Sequence, residues 1–94
     1  MKKELEEINA LALKLHGGVP AADAFTLQSL AEHVMEVREL LGKNNSHWKA
    51  ETSDIIIHGL TLLKRHGVTA SEIESLLSQR AKRFKEKISS ALKT

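Results

Sequence analysis

Four carboxylates carry the chemistry that this chain could do. Glu36 and Glu39 sit three residues apart in AEHVMEVRELLG, and Glu51 and Asp54 sit three apart in KAETSDIIIHGL. On a helix, residues three apart lie on one face. Two such pairs on consecutive helices can therefore direct four carboxylates into one small volume. Those charges repel one another unless a cation sits among them, and Mg²⁺, a hard ion that prefers oxygen, suits an all-carboxylate set. Metal-dependent phosphate chemistry is the reading that follows, with Mg²⁺ as the cofactor and Mn²⁺ as an alternative.

The elements that must position these acids are helices. Leu5, Ile8, Ala12 and Leu15 recur at helical spacing, and Gly17-Gly18 ends that segment. The stretch from Gly17 to Phe25 holds the chain's one proline, Pro20, and reads as a loop, with Thr26 as N-cap of a second helix. Leu27, Leu30, Val34, Val37 and Leu41 then form an apolar seam at alternating three- and four-residue spacing. Gly42 and Asn44-Asn45 end that helix, and Asn45 or Ser46 can cap the third, which runs to about Arg65 and stops at Gly67. Thr69 and Glu72 form a T-x-x-E capping box for a fourth helix with the seam Ile73, Leu77, Ala81, Phe84 and Ile88. Short connections favour antiparallel neighbours. The expected fold is a single all-α domain over residues 1–94, an antiparallel four-helix bundle.

Composition agrees. The 94 residues include no cysteine, which excludes disulfides and thiolate metal sites. With Trp48, Phe25 and Phe84 the only aromatics among phenylalanine, tyrosine and tryptophan, the core must be aliphatic. No apolar run approaches a membrane span, and Glu4, Glu6 and Glu7 interrupt any signal-peptide pattern, so a cytoplasmic location is expected. A net charge of +2 argues against a dedicated nucleic-acid binder.

The acids also have a plainer explanation. Glu32, Glu36 and Glu39 lie opposite the Leu27/Val34/Leu41 seam, where any amphipathic helix carries solvated charges. The third helix discriminates better. Ile55, Ile56, Ile57, Leu60, Leu62 and Leu63 point to most sides of it, and a helix apolar on most sides is usually buried. A carboxylate at Glu51 or Asp54 would then need a partner or a metal. His58, one turn after Asp54, is a candidate partner. The five histidines show no zinc spacing and are read as structural or exposed.

These two helices resemble the MazG-type all-α nucleoside triphosphate pyrophosphohydrolases, whose signature is E-E-x-x-E, a variable gap, then E-x-x-D before an apolar helix. Residues 35–40 correspond to the first half, with Met35 in place of the first glutamate, and residues 51–56 to the second. The downstream GVTASEI and QRAKRFKEK are similar as well, and the likeness spans roughly residues 26–88.

The resemblance implies hydrolysis of a (deoxy)nucleoside triphosphate to the monophosphate and pyrophosphate, in clearing non-standard nucleotides. Glu36, Glu39, Glu51 and Asp54 would hold Mg²⁺, and one of them would orient the attacking water. It also implies a homodimer or dimer of dimers. Arg80, Arg83 and Lys87, at i, i+3 and i+7 on the fourth helix, could clamp phosphates or simply form a solvated basic face. Trp48, Phe25 and His16 are weaker candidates for a base pocket. The rival readings are a non-enzymatic helical interaction module and a degenerate relative that binds nucleotides without turnover.

Overall fold

A computed structural model describes residues 1–93, so that of the domain expected over 1–94 only Thr94 lies outside the described residues. The chain is helical throughout, in the order α1 (Lys2–His16), α2 (Val19–Gly42), α3 (Trp48–Arg65) and α4 (Ala70–Leu92), with no strand among the described residues.

The punctuation between helices follows local chemistry, with one correction. Gly17 adopts a left-handed φ of 82° that a side chain would disfavour, and the N–H groups of Gly17 and Gly18 both reach the Leu13 carbonyl. The chain then re-enters a helix at Val19. The loop expected up to Phe25 does not exist, and Thr26 is not an N-cap. Pro20 occupies the first helical turn, where its missing N–H and fixed φ carry no cost. Thr26 is buried inside α2, its hydroxyl donating to the Ala22 carbonyl at 3.0 Å. Before α3, the Asn45 side chain accepts the His47 N–H at 2.9 Å. Before α4, the Thr69 hydroxyl accepts the Glu72 N–H at 3.1 Å, the first half of the expected capping box.

Helices α2 and α3 run antiparallel. Asp23 near the start of α2 meets Arg65 and His66 at the end of α3, while His33 meets Glu51 near its start. The apolar seam Leu27/Val34/Leu41 is not what α2 buries: those three residues are 55%, 47% and 50% exposed. The buried stripe is Ala22, Thr26 and Ser29, a quarter-turn away. Small side chains there leave room for α3, whose most buried residue is again small and polar, Thr61.

What fills the space is a guanidinium. The Arg65 side chain, 2% exposed, donates to Asp23 Oδ1 at 2.8 Å, to the Thr26 hydroxyl at 3.0 Å and to Asn9 Oδ1 at 3.2 Å. Asn9 in turn donates to the Thr61 carbonyl at 3.0 Å. One side chain thus ties α1, α2 and α3 together. Every buried polar side-chain atom among the described residues has a partner.

Helix α4 is different. It is not packed along any other helix, and among its described residues Ile73 in the first turn is the one that is buried. Leu77, Phe84 and Ile88 are all more than half exposed. The bundle therefore consists of α1–α3, with α4 extending from it to give overall dimensions of 50 × 35 × 23 Å.

The planar fork of Arg65 uses three separate N–H directions, which an ammonium cannot reproduce. Arg65→Lys is expected to lower the Tm by roughly 5 °C or more, as for a change of about 1 kcal/mol in a domain this small. Arg83→Lys on exposed α4 should leave the Tm unchanged. Thermal melts followed by circular dichroism check both.

Candidate metal centre

Between α2 and α3, the inward stripes of both helices are polar. Glu51, Asp54, His58, Thr61 and Arg65 recur on α3 at alternating three- and four-residue spacing. They share one face. Opposite them on α2 stand Thr26, Ser29, His33 and Glu36.

At the open end of this seam three ligand-type side chains converge. One oxygen or nitrogen each from His33, Glu36 and Glu51 lies within 4.8 Å of the others. His33 Nδ1 is hydrogen-bonded to Glu51 Oε2 and is 3.7 Å from Glu36 Oε2. His47, a turn before Glu51, approaches its other oxygen at 3.3 Å. The Glu51 side chain is 13% exposed, whereas that of Glu36 is half exposed.

The electrostatics follow from this crowding. Hydrogen bonding to Glu51 raises the Glu36 pKa, reinforced by burial and by the charge on Glu51. Glu51 is lowered, first by its hydrogen bond with Glu36 and then by that with His33. Both shifts follow from two carboxylates held close together. The hydrogen bond with Glu51 raises the His33 pKa against a smaller effect of burial. The His58 ring stacks on His33 with centroids 5.3 Å apart, and burial lowers its pKa. A divalent cation would offset the repulsion between the two carboxylates and let both ionise. Two carboxylates and an imidazole suit such an ion. The nitrogen donor moves the preference from Mg²⁺ toward Mn²⁺ and other transition metals.

The four expected acids are not all gathered. Glu36 and Glu51 meet. Asp54 is half-buried one turn beyond Glu51, and its charge acts on both His33 and His58. It has no hydrogen-bond or ion-pair partner among the described residues. Glu39 points away to Lys43, with which it forms an exposed 2.8 Å ion pair that lowers its pKa. His33, read from the sequence as structural or exposed, is instead central. The signal for it was its place three residues before Glu36.

The remaining candidates lie elsewhere. His16 and Phe25 stack at 4.5 Å and wall a groove of about 340 Å³ between α1, α2 and α3, with Ile8, Leu11, His58 and Arg65 among its other residues. His58 belongs to this groove and also stacks on His33, so the groove abuts the carboxylates. Trp48 is half-buried at the start of α3 and is not a wall of the groove. Arg80, Arg83 and Lys87 share an exposed strip of α4 with Phe84, over whose ring the Arg80 guanidinium lies at 5.6 Å. Because α4 is unpacked, no helix contact holds these cations beside the carboxylates.

The two histidines should titrate on opposite sides of the ordinary imidazole value. His33 is raised, so its pairing contributes stability fully below about pH 6.5, lost as pH rises through its folded pKa. His58 is lowered, so it favours the fold above about pH 6.5 and opposes it as pH falls. An NMR titration of the ring protons should find His33 above and His58 below that value. Glu51→Gln should bring His33 back down.

No protein-family model, curated protein or solved structure matches the chain, so the likeness to the MazG-type enzymes rests on the motif residues themselves.

Proposed function

We propose that this chain is a divalent-metal-dependent nucleoside triphosphate pyrophosphohydrolase. The observation that carries the reading is the meeting of Glu36 from α2 with Glu51 from α3, beside His33, in the same E-x-x-E and E-x-x-D elements that resemble the MazG-type signature. Glu36, Glu51 and His33 would hold the ion. Glu39, one turn along α2, could join by leaving its solvent-exposed pair with Lys43, since such pairs are worth little.

When bound, the ion would neutralise charge on the phosphate oxygens. The chain's own residues supply the rest. Asp54, beside His33 and His58 and with no hydrogen-bond or ion-pair partner among the described residues, would orient and deprotonate the attacking water. The groove walled by His16 and Phe25 offers an apolar, stacking surface for a base, and His58, which also lines it, stacks on His33 beside the carboxylates. No extended helix packing holds Arg80, Arg83 and Lys87 beside the site within one chain. No helix of the described residues is long and apolar enough to cross a membrane.

The exposure of Leu27, Val34, Phe84 and Ile88 favours a second reading, a helical interaction module whose acids serve solubility.

A panel of nucleoside triphosphates, each assayed for pyrophosphate with Mg²⁺ and with Mn²⁺, separates the two. Metal-dependent pyrophosphate release is expected, falling roughly 100-fold or more in both Glu51→Gln and Asp54→Asn. Activity retained in both variants would remove the assignment. Mn²⁺ at about a hundredfold excess over its Kd should also stabilise the fold by about 2.7 kcal/mol, and Glu51→Gln should lose that effect. A melting temperature indifferent to metal, with no pyrophosphate from any substrate, would favour the interaction module.

A further inference from the structure

Beyond its first turn, helix α4 holds a stripe of large apolar side chains in water. Leu77, Phe84, Ile88 and Leu92 are each more than half exposed. At about 100° per residue, these four and Ala81 fall within roughly 80° of the helix circumference. From Leu77 to Leu92 the stripe is about 24 Å long at 1.5 Å per residue.

Cations border the stripe on both sides. By the same geometry Arg80 and Lys87 lie along one edge and Lys85 along the other, with Arg83, Lys82 and Lys93 farther round. The Arg80 guanidinium lies over the Phe84 ring at 5.6 Å. Arg80 also shares one surface depression with Arg83, Lys87 and Ser90. Over residues 77–93 these six cations face a single acid, Glu86. Glu86, which also lines that depression, stands about 160° from the centre of the stripe, on the side turned away from it. The other acids of α4, Glu72 and Glu74, sit at its start, on either side of the buried Ile73.

A surface that fits this face is apolar in the middle and anionic at the rim. Nucleic-acid phosphates would meet the cations but leave Leu77, Phe84, Ile88 and Leu92 in water. A second α4 would set Arg80, Lys85 and Lys87 against their own copies. The Leu27–Leu41 seam of another copy's α2 is bordered by Arg38, again a like charge. The boundary of an anionic bilayer offers acyl carbon to the stripe and phosphate to its edges. Arginine and lysine suit that boundary, because their stems lie along apolar surface while their heads reach outward. A helix draws most of its stability from packing its apolar face, and α4 is not packed along any other helix.

From this we infer that α4 is a membrane-surface helix. Its Leu77–Leu92 stripe beds into the interface of a bilayer rich in anionic phospholipid, with Arg80, Lys85 and Lys87 on the headgroup phosphates. The helix lies in the plane of the bilayer, and none of the described helices is long and apolar enough to cross it. The inference stands apart from the catalytic reading, since it uses neither the carboxylates nor the groove.

The full chain is mixed with unilamellar vesicles of phosphatidylcholine, alone or with one third phosphatidylglycerol, and sedimented. The anionic vesicles should carry down at least about tenfold more protein, and added salt should reduce that binding. Because the chain has no cysteine, a polarity-sensitive fluorophore can be attached through Phe84→Cys on the stripe or Gln79→Cys on the opposite side. With anionic vesicles the label at position 84 should shift to the blue, and the label at position 79 should not. Arg80→Glu combined with Lys87→Glu should cut vesicle binding at least about tenfold, with the circular dichroism spectrum unchanged. No binding of the unmodified chain to the anionic vesicles would overturn the inference. So would a preference for duplex DNA over those vesicles, or a dimer by light scattering in which the label at position 84 is already shielded without lipid. Binding that leaves both labels unshifted would overturn it too, since the adhesion would then be ionic alone.

Discussion

The fork of Arg65 is the constraint on which this architecture depends. It reaches Asn9, Asp23 and Thr26, one residue on α1 and two on α2, from a position at the end of α3. The facing surfaces are too small and polar to hold the helices by apolar burial, since Ala22, Thr26, Ser29 and Thr61 present little area. Directional hydrogen bonds from a buried, always-charged group supply the register instead. Asp23 answers with a pKa lowered chiefly by its hydrogen bond to Arg65, so its contribution is present above the ordinary carboxylate range and lost as pH falls through its lowered value.

That register decides what happens at the other end of the seam. With the start of α2 fixed against the end of α3, His33 and Glu36 are brought opposite Glu51. The crowding of two carboxylates and an imidazole is unfavourable unless a proton or a cation is shared among them. A polar interior of this kind contributes little to folding by itself. The apolar residues that would normally form a core lie on the outer flanks of α2 and along α4. The polar and titratable groups thus lie between the helices, while several large apolar side chains lie outside.

Much of this was legible in the residues. Helical periodicity gave the number and type of the elements, and the T-x-x-E box located the start of α4. The start of α2 is less legible, because a proline such as Pro20 signals a break as readily as the first helical turn that it occupies here. The buried face of α2 is less legible. Apolar patterning marks one face of a helix, whereas the face that packs here is the one whose small residues let α3 and the Arg65 side chain approach. At the candidate centre, the E-x-x-E and E-x-x-D spacing singles out Glu36 and Glu51, which the fold brings together. The same spacing could not show that Lys43, one turn beyond Glu39, draws that acid outward. Nor could it show His33, whose role depends on the crossing of two helices rather than on any motif within one. The Asn9–Arg65 contact joins residues 56 positions apart and left no local trace.

The claim at the centre of this account is that α2 and α3 close around a divalent ion through His33, Glu36 and Glu51. Pulsed electron paramagnetic resonance of the protein with one equivalent of Mn²⁺, the histidines labelled with ¹⁵N, tests it directly. The account predicts a bound ion with hyperfine coupling to a single imidazole nitrogen, which disappears in His33→Gln. A spectrum of fully hydrated Mn²⁺ without nitrogen coupling would contradict it.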